Sequence, residues 1–384
     1  MNLSVFSKQN STSGKQMPGK RMSKAKKILL GIVFIFFSIL FLMCCFVVIK
    51  RIMWNNTYKI RTENGIQEST YIDVNGIKQY IQIRGEDKDN DVVIFLHGGP
   101  ANPISYLSPY FQKNLEDVVT FVQYDQRGSG RTYYKNNCDS DTNVDLLLAD
   151  LDGIVDYVCE RFGKEKVIIM GHSWGTALGT LYVHEHPEKV SSYIALSQAT
   201  NVHDNKASAA NQALQTAAIK NTEDEKTLRL LLDKWNQVKS YDEISLADLS
   251  EMTKLAGKYI GCDGEVSGME LFKIGLFSGD MSINDMRWFL EASDSTKYLT
   301  YNRDVMEYFL FQYDIENLPN TYEMPVYYVA GEGDYILPQK EAKEYFEKIE
   351  APKKEFILLE NVGHDMFLDN PQLFENTIRT ILAD

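Results

Sequence analysis

The stretch that most restricts what this chain can become is Gly171-His172-Ser173-Trp174-Gly175. An apolar run, Val167-Ile168-Ile169-Met170, precedes it, and small residues of helical type, Thr176 to Tyr182, follow. A serine between two glycines at a strand-to-helix junction is held on a sharp, strained turn with its hydroxyl at the strand tip. The flanking glycines lack a Cβ, so strand and helix can approach closely. Ser173 is therefore a candidate nucleophile, and a plain glycine turn is the weaker alternative given these flanks. The reading carries a requirement: an acid and then a histidine should follow, each beyond a further strand.

The rest of the chain supplies the strands. Tyr71-Ile72-Asp73-Val74 and Ile77 to Ile83 flank Asn75-Gly76, a strong hairpin signal because both turn residues need positive φ. Val92 to Leu96 is uniformly apolar, as a central strand buried on both faces should be. It ends in His97-Gly98-Gly99-Pro100, a turn that leaves backbone N–H groups free to face a ligand. Its functional reading is half of an oxyanion hole, with the Trp174 N–H as the other half. His97 is expected to hold this loop rather than to do chemistry. Val118 to Tyr124 is the next strand and leads into Asp125-Gln126-Arg127-Gly128-Ser129-Gly130, where an internal Asp125–Arg127 ion pair is expected to brace the loop.

Thr142 opens a helix that runs to Phe162 and stops at Gly163, with Asp145 completing a variant capping box. Its Leu147, Leu151, Ile154, Val155 and Val158 recur at helical spacing and should face the sheet. His184-Glu185-His186 has a metal-like look, but residues two apart on a helix point to different faces, so helix-end polar residues are expected there. After the strand Tyr193 to Leu196, residues 200–320 are helical in type and read as an inserted cap. The sheet resumes at Met324 to Ala330, followed by Gly331-Glu332-Gly333-Asp334, and ends at Phe356 to Leu359, followed by Val362-Gly363-His364. Asn370-Pro371 caps a final helix, Pro being well placed at a first helical position.

The required order is thus met: Ser173, then Asp334, then His364, each just past a strand end, where open α/β sheets gather their sites. His364 would take the Ser173 proton, and Asp334 would fix its tautomer and stabilise the imidazolium. Glu332 and Asp365 are rival acids. Glu332 lies nearer the strand end and Asp365 is adjacent to the histidine it would have to support, so Asp334 is preferred.

The first fifty residues are of another kind. Residues 1–27 are polar and basic and read as a disordered tail. Ile28 to Ile49 runs for 22 residues without a charge, long enough to span a bilayer as a helix. Lys24, Lys26 and Lys27 precede it and Lys50 and Arg51 follow, so the tail is expected in the cytoplasm and the large domain outside. A cleaved signal peptide is the rival, but the run is long for one and no small-x-small cleavage site follows. Residues 50–69 read as a polar stalk. Of the 40 Lys and Arg, nine fall in residues 1–53, where there is no acid. The remainder has 31 basic against 53 acidic residues. So acidic a domain is a poor match for nucleic acid. Five cysteines are too few for a disulfide scaffold; one bridge among Cys138, Cys159 and Cys262 is open. No internal repeat, phosphate-binding loop or metal-ligand spacing stands out, and no metal or organic cofactor is implied.

His97-Gly98-Gly99-Pro100, Asp125-Gln126-Arg127-Gly128-Ser129-Gly130 and Gly171-His172-Ser173-Trp174-Gly175-Thr176 together resemble the prolyl aminopeptidase (proline iminopeptidase) family of α/β-hydrolases. The likeness covers roughly residues 70–384 and is weakest in the cap. It implies an α/β-hydrolase fold: a mostly parallel central sheet flanked by helices, with first core part 70–199, helical cap 200–320 and second core part 321–384. It further implies an oxyanion hole from the Gly99 and Trp174 N–H groups. It implies removal of N-terminal residues, often proline, from short peptides, with acidic cap residues receiving the free amine. One departure is Ala101, where the family pattern continues with glycine; another is the anchor at 28–49, since many relatives are soluble cytoplasmic enzymes. The expectation is a single-pass membrane-anchored serine hydrolase acting on short peptides. An esterase or lactonase on small acyl substrates, or an inactive fold used for binding, are the alternatives.

Overall fold

The computed structural model describes residues 23–136, 142–220, 222–293 and 302–383. The chain divides into two compact units, Met1–Ile49 and Lys50–Asp384. Helix α1 (Lys24–Thr57) contains the uncharged run and is long and apolar enough to cross a membrane. The expected stalk at 50–69 is replaced by the end of this helix, a short connection and the first strand, β1 (Ile66–Val74). It resembles a linker in sequence because β1 is an edge strand, paired on one side only and exposing Gln67 and Ser69.

Strand β1 turns into β2 (Ile77–Gly85) through Asn75 and Gly76 at φ 45° and 80°, the two positive values that a tight hairpin requires. There follow β3 (Asp91–Leu96), β4 (Val119–Tyr124), β5 (Val167–His172), β6 (Val190–Leu196), β7 (Val326–Gly331) and β8 (Lys354–Leu359). The sheet order is β1-β2-β4-β3-β5-β6-β7-β8. Strand β2 runs antiparallel to both neighbours, and every pair from β4 to β8 is parallel.

Between the strands lie α2 (Ser108–Gln112), α3 (Gly130–Asn136), α4 (Val144–Phe162) and α5 (Trp174–Glu185). The long β6–β7 connection holds α6 (Val202–Lys220), α7 (Thr222–Trp235), α8 (Leu246–Ile260), α9 (Gly268–Phe277) and α10 (Ile283–Ser293). Helix α11 (Gln339–Lys348) follows β7, and α12 (Met366–Asp369) and α13 (Pro371–Leu382) end the chain. Alternation along β3 sorts the core. Val92, Ile94 and Leu96 pack with α4, α5 and α11, while Val93 and Phe95 pack with α2, α12 and α13. With apolar residues on both faces, a central strand has to read as an unbroken apolar run. Helices α6, α7 and α8 enclose a separate core of their own around Leu228, Trp235 and Met252.

Two local expectations fail. Helix α4 is capped by Asn143, whose side chain accepts from Leu146 N at 2.9 Å, and not by Thr142. Asn is the stronger cap, and from position 143 it reaches the third helical N–H. The Asp125–Arg127 pair does not form. Arg127 instead reaches across to Asp150 of α4 with two hydrogen bonds of 2.8 Å. Asp125 accepts from Ser105 Oγ (3.1 Å) and Arg131 N (2.7 Å). His184 packs against the Tyr322 ring, whereas His186 faces Asp152 and Glu188. Cys159 and Cys262 are free thiols, and Cys138 lies outside the described residues.

Asp150 also takes hydrogen bonds from Asn75 and Gln79, so Arg127 and Asp150 close a buried network between the hairpin and α4. Removing one partner of such a pair leaves the other charge buried and uncompensated. Arg127→Met is expected to cost about 3–5 kcal/mol, read from the urea midpoint.

Candidate active site

Three loops meet at the C-terminal edge of the parallel strands. Ser173 joins β5 to α5 at φ 53°, ψ −119°, a conformation an L-residue adopts only when its surroundings impose it. They do so through two glycines. A Cβ on Gly175 would stand 2.0 Å from Leu96 O, and one on Gly171 would stand 2.4 Å from Gly175 O. The serine is tied by its own N–H to Leu196 O at 3.1 Å, and its carbonyl accepts from Thr176 N at 2.8 Å.

Asp334 follows β7. Its Oδ1 accepts from the Ile336 and Leu337 N–H groups, both at 2.9 Å, and its Oδ2 accepts from His364 Nδ1 at 2.9 Å. Asp334 is therefore oriented from three sides. The rival acids are elsewhere: Glu332 accepts from Asn361 N, and Asp365 lies 3.7 Å from His172. His364 follows β8, and its carbonyl accepts from His172 Nε2 (3.0 Å) and Ser197 Oγ (3.3 Å). The His172 and His364 rings lie 4.8 Å apart, so the imidazole sits beside the residue that precedes Ser173. Among the described residues Ser173 Oγ makes no hydrogen bond, to His364 or to any other group.

Burial lowers His172 and His97 alike to about 4, so both rings are neutral. His97 Nδ1 donates to Gly98 O (2.9 Å) and its Nε2 accepts from Gln126 N (3.3 Å), a loop-holding role. His364 behaves differently. Burial lowers it too, but the Asp334 charge and hydrogen bond outweigh that, and its net position is above the ordinary 6.5. Burial raises the Asp334 carboxyl in turn, and His364 with the Leu337 N–H brings it below its usual value. The Asp334 charge thus favours the protonated form of His364.

The loop after β3 approaches the serine closely: a Cβ on Gly98 would lie 3.2 Å from Ser173 Cβ. Gly99 has φ 114°, and Ala101, where glycine is expected, also takes a positive φ of 59°. Its carbonyl is held by Trp288 Nε1 of α10 at 3.0 Å. The Trp174 ring is buried, and its Nε1 donates to Gln126 Oε1 at 3.0 Å.

Several contributors carry no signal in the sequence. Lys206 of α6 donates to Ile336 O at 3.3 Å, next to Asp334, and burial brings it down to about 8. Asp369 accepts from Gly363 N and Val266 N, each at 2.8 Å, tying the histidine turn to the roof helices. Arg131 makes a two-armed ion pair with Asp285 of α10. Glu265 packs against Gly363, and its Oε1 is buried without a hydrogen-bond partner among the described residues. Apart from the Asp369–Gly363 bond, all are contacts between segments far apart in the chain, which periodicity cannot reveal.

If His364 must be unprotonated to act, the rate of Ser173 phosphonylation by a fluorophosphonate should rise with pH through a midpoint above 6.5. The Lys206 charge lowers His364, so Lys206→Met should move that midpoint to higher pH. A stopped-flow pH profile of the two proteins checks both statements.

A family model described as alpha/beta hydrolase fold matches residues 91–371. A Bacillus subtilis protein named "Probable aminopeptidase YbaC" is 27% identical over 311 residues, covering 80% of this chain and 93% of that protein. A proline iminopeptidase from Neisseria gonorrhoeae is 35% identical over 127 residues, 33% of this chain and 38% of that protein. Among solved structures, the proline iminopeptidase of Mycobacterium smegmatis aligns with TM-score 0.59 at 17% identity. It covers 82% of this chain and 98% of its own. At 15% identity, a bacterial membrane phospholipase A aligns with TM-score 0.58 over 93% of this chain and 98% of its own.

Proposed function

Since the chain belongs to the alpha/beta hydrolase fold family and is a hydrolase, we propose that it is a membrane-anchored serine aminopeptidase acting on short peptides. The observation that carries the chemistry is the His364–Asp334 bond at the sheet edge where the strained Ser173 turn also ends. Asp334 holds the imidazole with its proton on Nδ1, which leaves Nε2 as the base. His364 takes the Ser173 proton as Oγ attacks the scissile carbonyl, and returns it to the leaving amine. Water then cleaves the acyl-enzyme by the same steps in reverse. The oxyanion is received by the Gly99 and Trp174 N–H groups. Residues 200–320 act as a cap that admits small substrates.

The aminopeptidase reading is supported by the names of the relatives, of which the Bacillus protein covers most of this chain. Glu265 is the roof acid that suits a protonated amine. It lies against the turn that carries His364, where Tyr335 and the Cys262 backbone bond to its carboxylate. Residues 28–49 anchor the enzyme, with the tail in the cytoplasm and the catalytic unit outside the cell.

Turnover of an aminoacyl-arylamide library beside a p-nitrophenyl ester series tests the assignment. The expected result is arylamide turnover, led by proline, that Ser173→Ala removes; cleavage of esters alone would favour the esterase or lactonase alternative. Glu265→Gln should raise KM for arylamides with a free amine by about tenfold, as loss of a charged contact does, and leave N-acetylated ones unchanged.

A further inference from the structure

The roof carries an apolar surface that this chemistry does not use. Among the described residues outside α1, five of the nine exposed large apolar side chains lie on α9 and α10: Met269, Phe272, Ile283, Phe289 and Leu290. They fall at helical spacing, Met269-Phe272-Leu276 on one helix and Ile283-Met286-Leu290 on the other, so each helix presents an apolar stripe. The two stripes share a cavity of about 440 Å³ whose walls include Tyr106, Leu271, Phe272, Met281, Met286 and Leu290. A water-facing domain rarely leaves so continuous an apolar patch without a partner.

The chain itself indicates which partner. The uncharged run ends at Ile49, and Lys50, Arg51 and Trp54 follow at once. These residue types favour the headgroup layer of a bilayer. Within the Lys50–Asp384 unit, this end of α1 is bonded to the hinge between α9 and α10. Arg51 Nε donates to Leu276 O at 3.0 Å and its NH1 to Met281 O at 3.3 Å. Trp54 Nε1 donates to Asp280 Oδ2 at 3.2 Å, and Lys50 Nζ lies 6.0 Å from the Phe277 ring centroid. The α9–α10 connection is thus bonded to residues that follow the apolar run by two to five positions in the sequence. Lipid around that run is therefore the partner nearest to the patch along the chain.

We propose that the α9–α10 hairpin lies in the headgroup–acyl boundary of the membrane, with Phe272 and Leu290 among the lipid chains. Its cavity takes hydrocarbon from that leaflet. The inference rests on residues 28–49 spanning the bilayer. It has a consequence for the site, because the hairpin is bonded to the loop beyond Gly99: Trp288 Nε1 donates to Ala101 O, and Ser278 Oγ donates to Tyr106 O at 2.6 Å. Membrane seating therefore holds the wall of the oxyanion loop as well as the roof.

The test uses the full chain in vesicles of equal parts phosphatidylcholine and phosphatidylglycerol. The photoreactive residue p-benzoylphenylalanine replaces Phe272, Leu290 or, as a control, Leu358, which is exposed on β8. Flotation with the vesicles is scored first. The expected result is flotation of all three proteins, with lipid adducts at 272 and 290 several-fold above those at 358. Flotation with equal adducts at the three positions, or with adducts to a second protein chain in place of lipid, would overturn the inference while leaving the anchor intact. Failure to float would overturn the anchor and the inference together.

Discussion

A contact between backbones, with no side chain between them, sets the geometry on which the site depends. The end of β3, the end of β5 and the first turn of α5 press together where Gly171 and Gly175 leave no room for a Cβ. This closeness forces the chain to turn within one residue, and that residue is Ser173 at φ 53°. It also places the loop that leaves β3 against the serine, since Gly98 approaches Ser173 Cβ. One steric constraint therefore fixes both the hydroxyl and the backbone that faces it. Neither glycine can be replaced without moving both.

Electrostatics then separates histidines that are close in space. His97, His172 and His364 are all in or beside the site, and burial disfavours the charged form of each. Only His364 has a carboxylate at hydrogen-bond distance, and only it is held above its ordinary value. The two neutral rings serve as struts, one on the Gly98 loop and one on the His364 carbonyl. Of the three imidazoles, only that of His364 has its protonated form favoured.

The fold was legible in the sequence because its central strands are buried on both faces and so read as unbroken apolar runs, several of which end at a glycine turn. Val92–Leu96 and Val167–Met170 are examples. The turns bearing Ser173, Asp334 and His364 could be located for the same reason. What periodicity could not show were partners chosen across the fold. Arg127 reaches Asp150 rather than its near neighbour, Asn143 displaces Thr142 as a cap, and Glu265, Lys206 and Trp288 arrive from the roof. The stalk was misread because an edge strand with alternate polar residues looks like a linker.

The central claim is that Ser173 is the nucleophile and His364 its base. It is tested most directly by treating the protein with a fluorophosphonate and mapping the adduct by peptide mass spectrometry. The account predicts a single phosphonylated residue, Ser173, and loss of the adduct in a folded His364→Ala protein. An adduct on another residue, or one on Ser173 that survives removal of the imidazole, would contradict it.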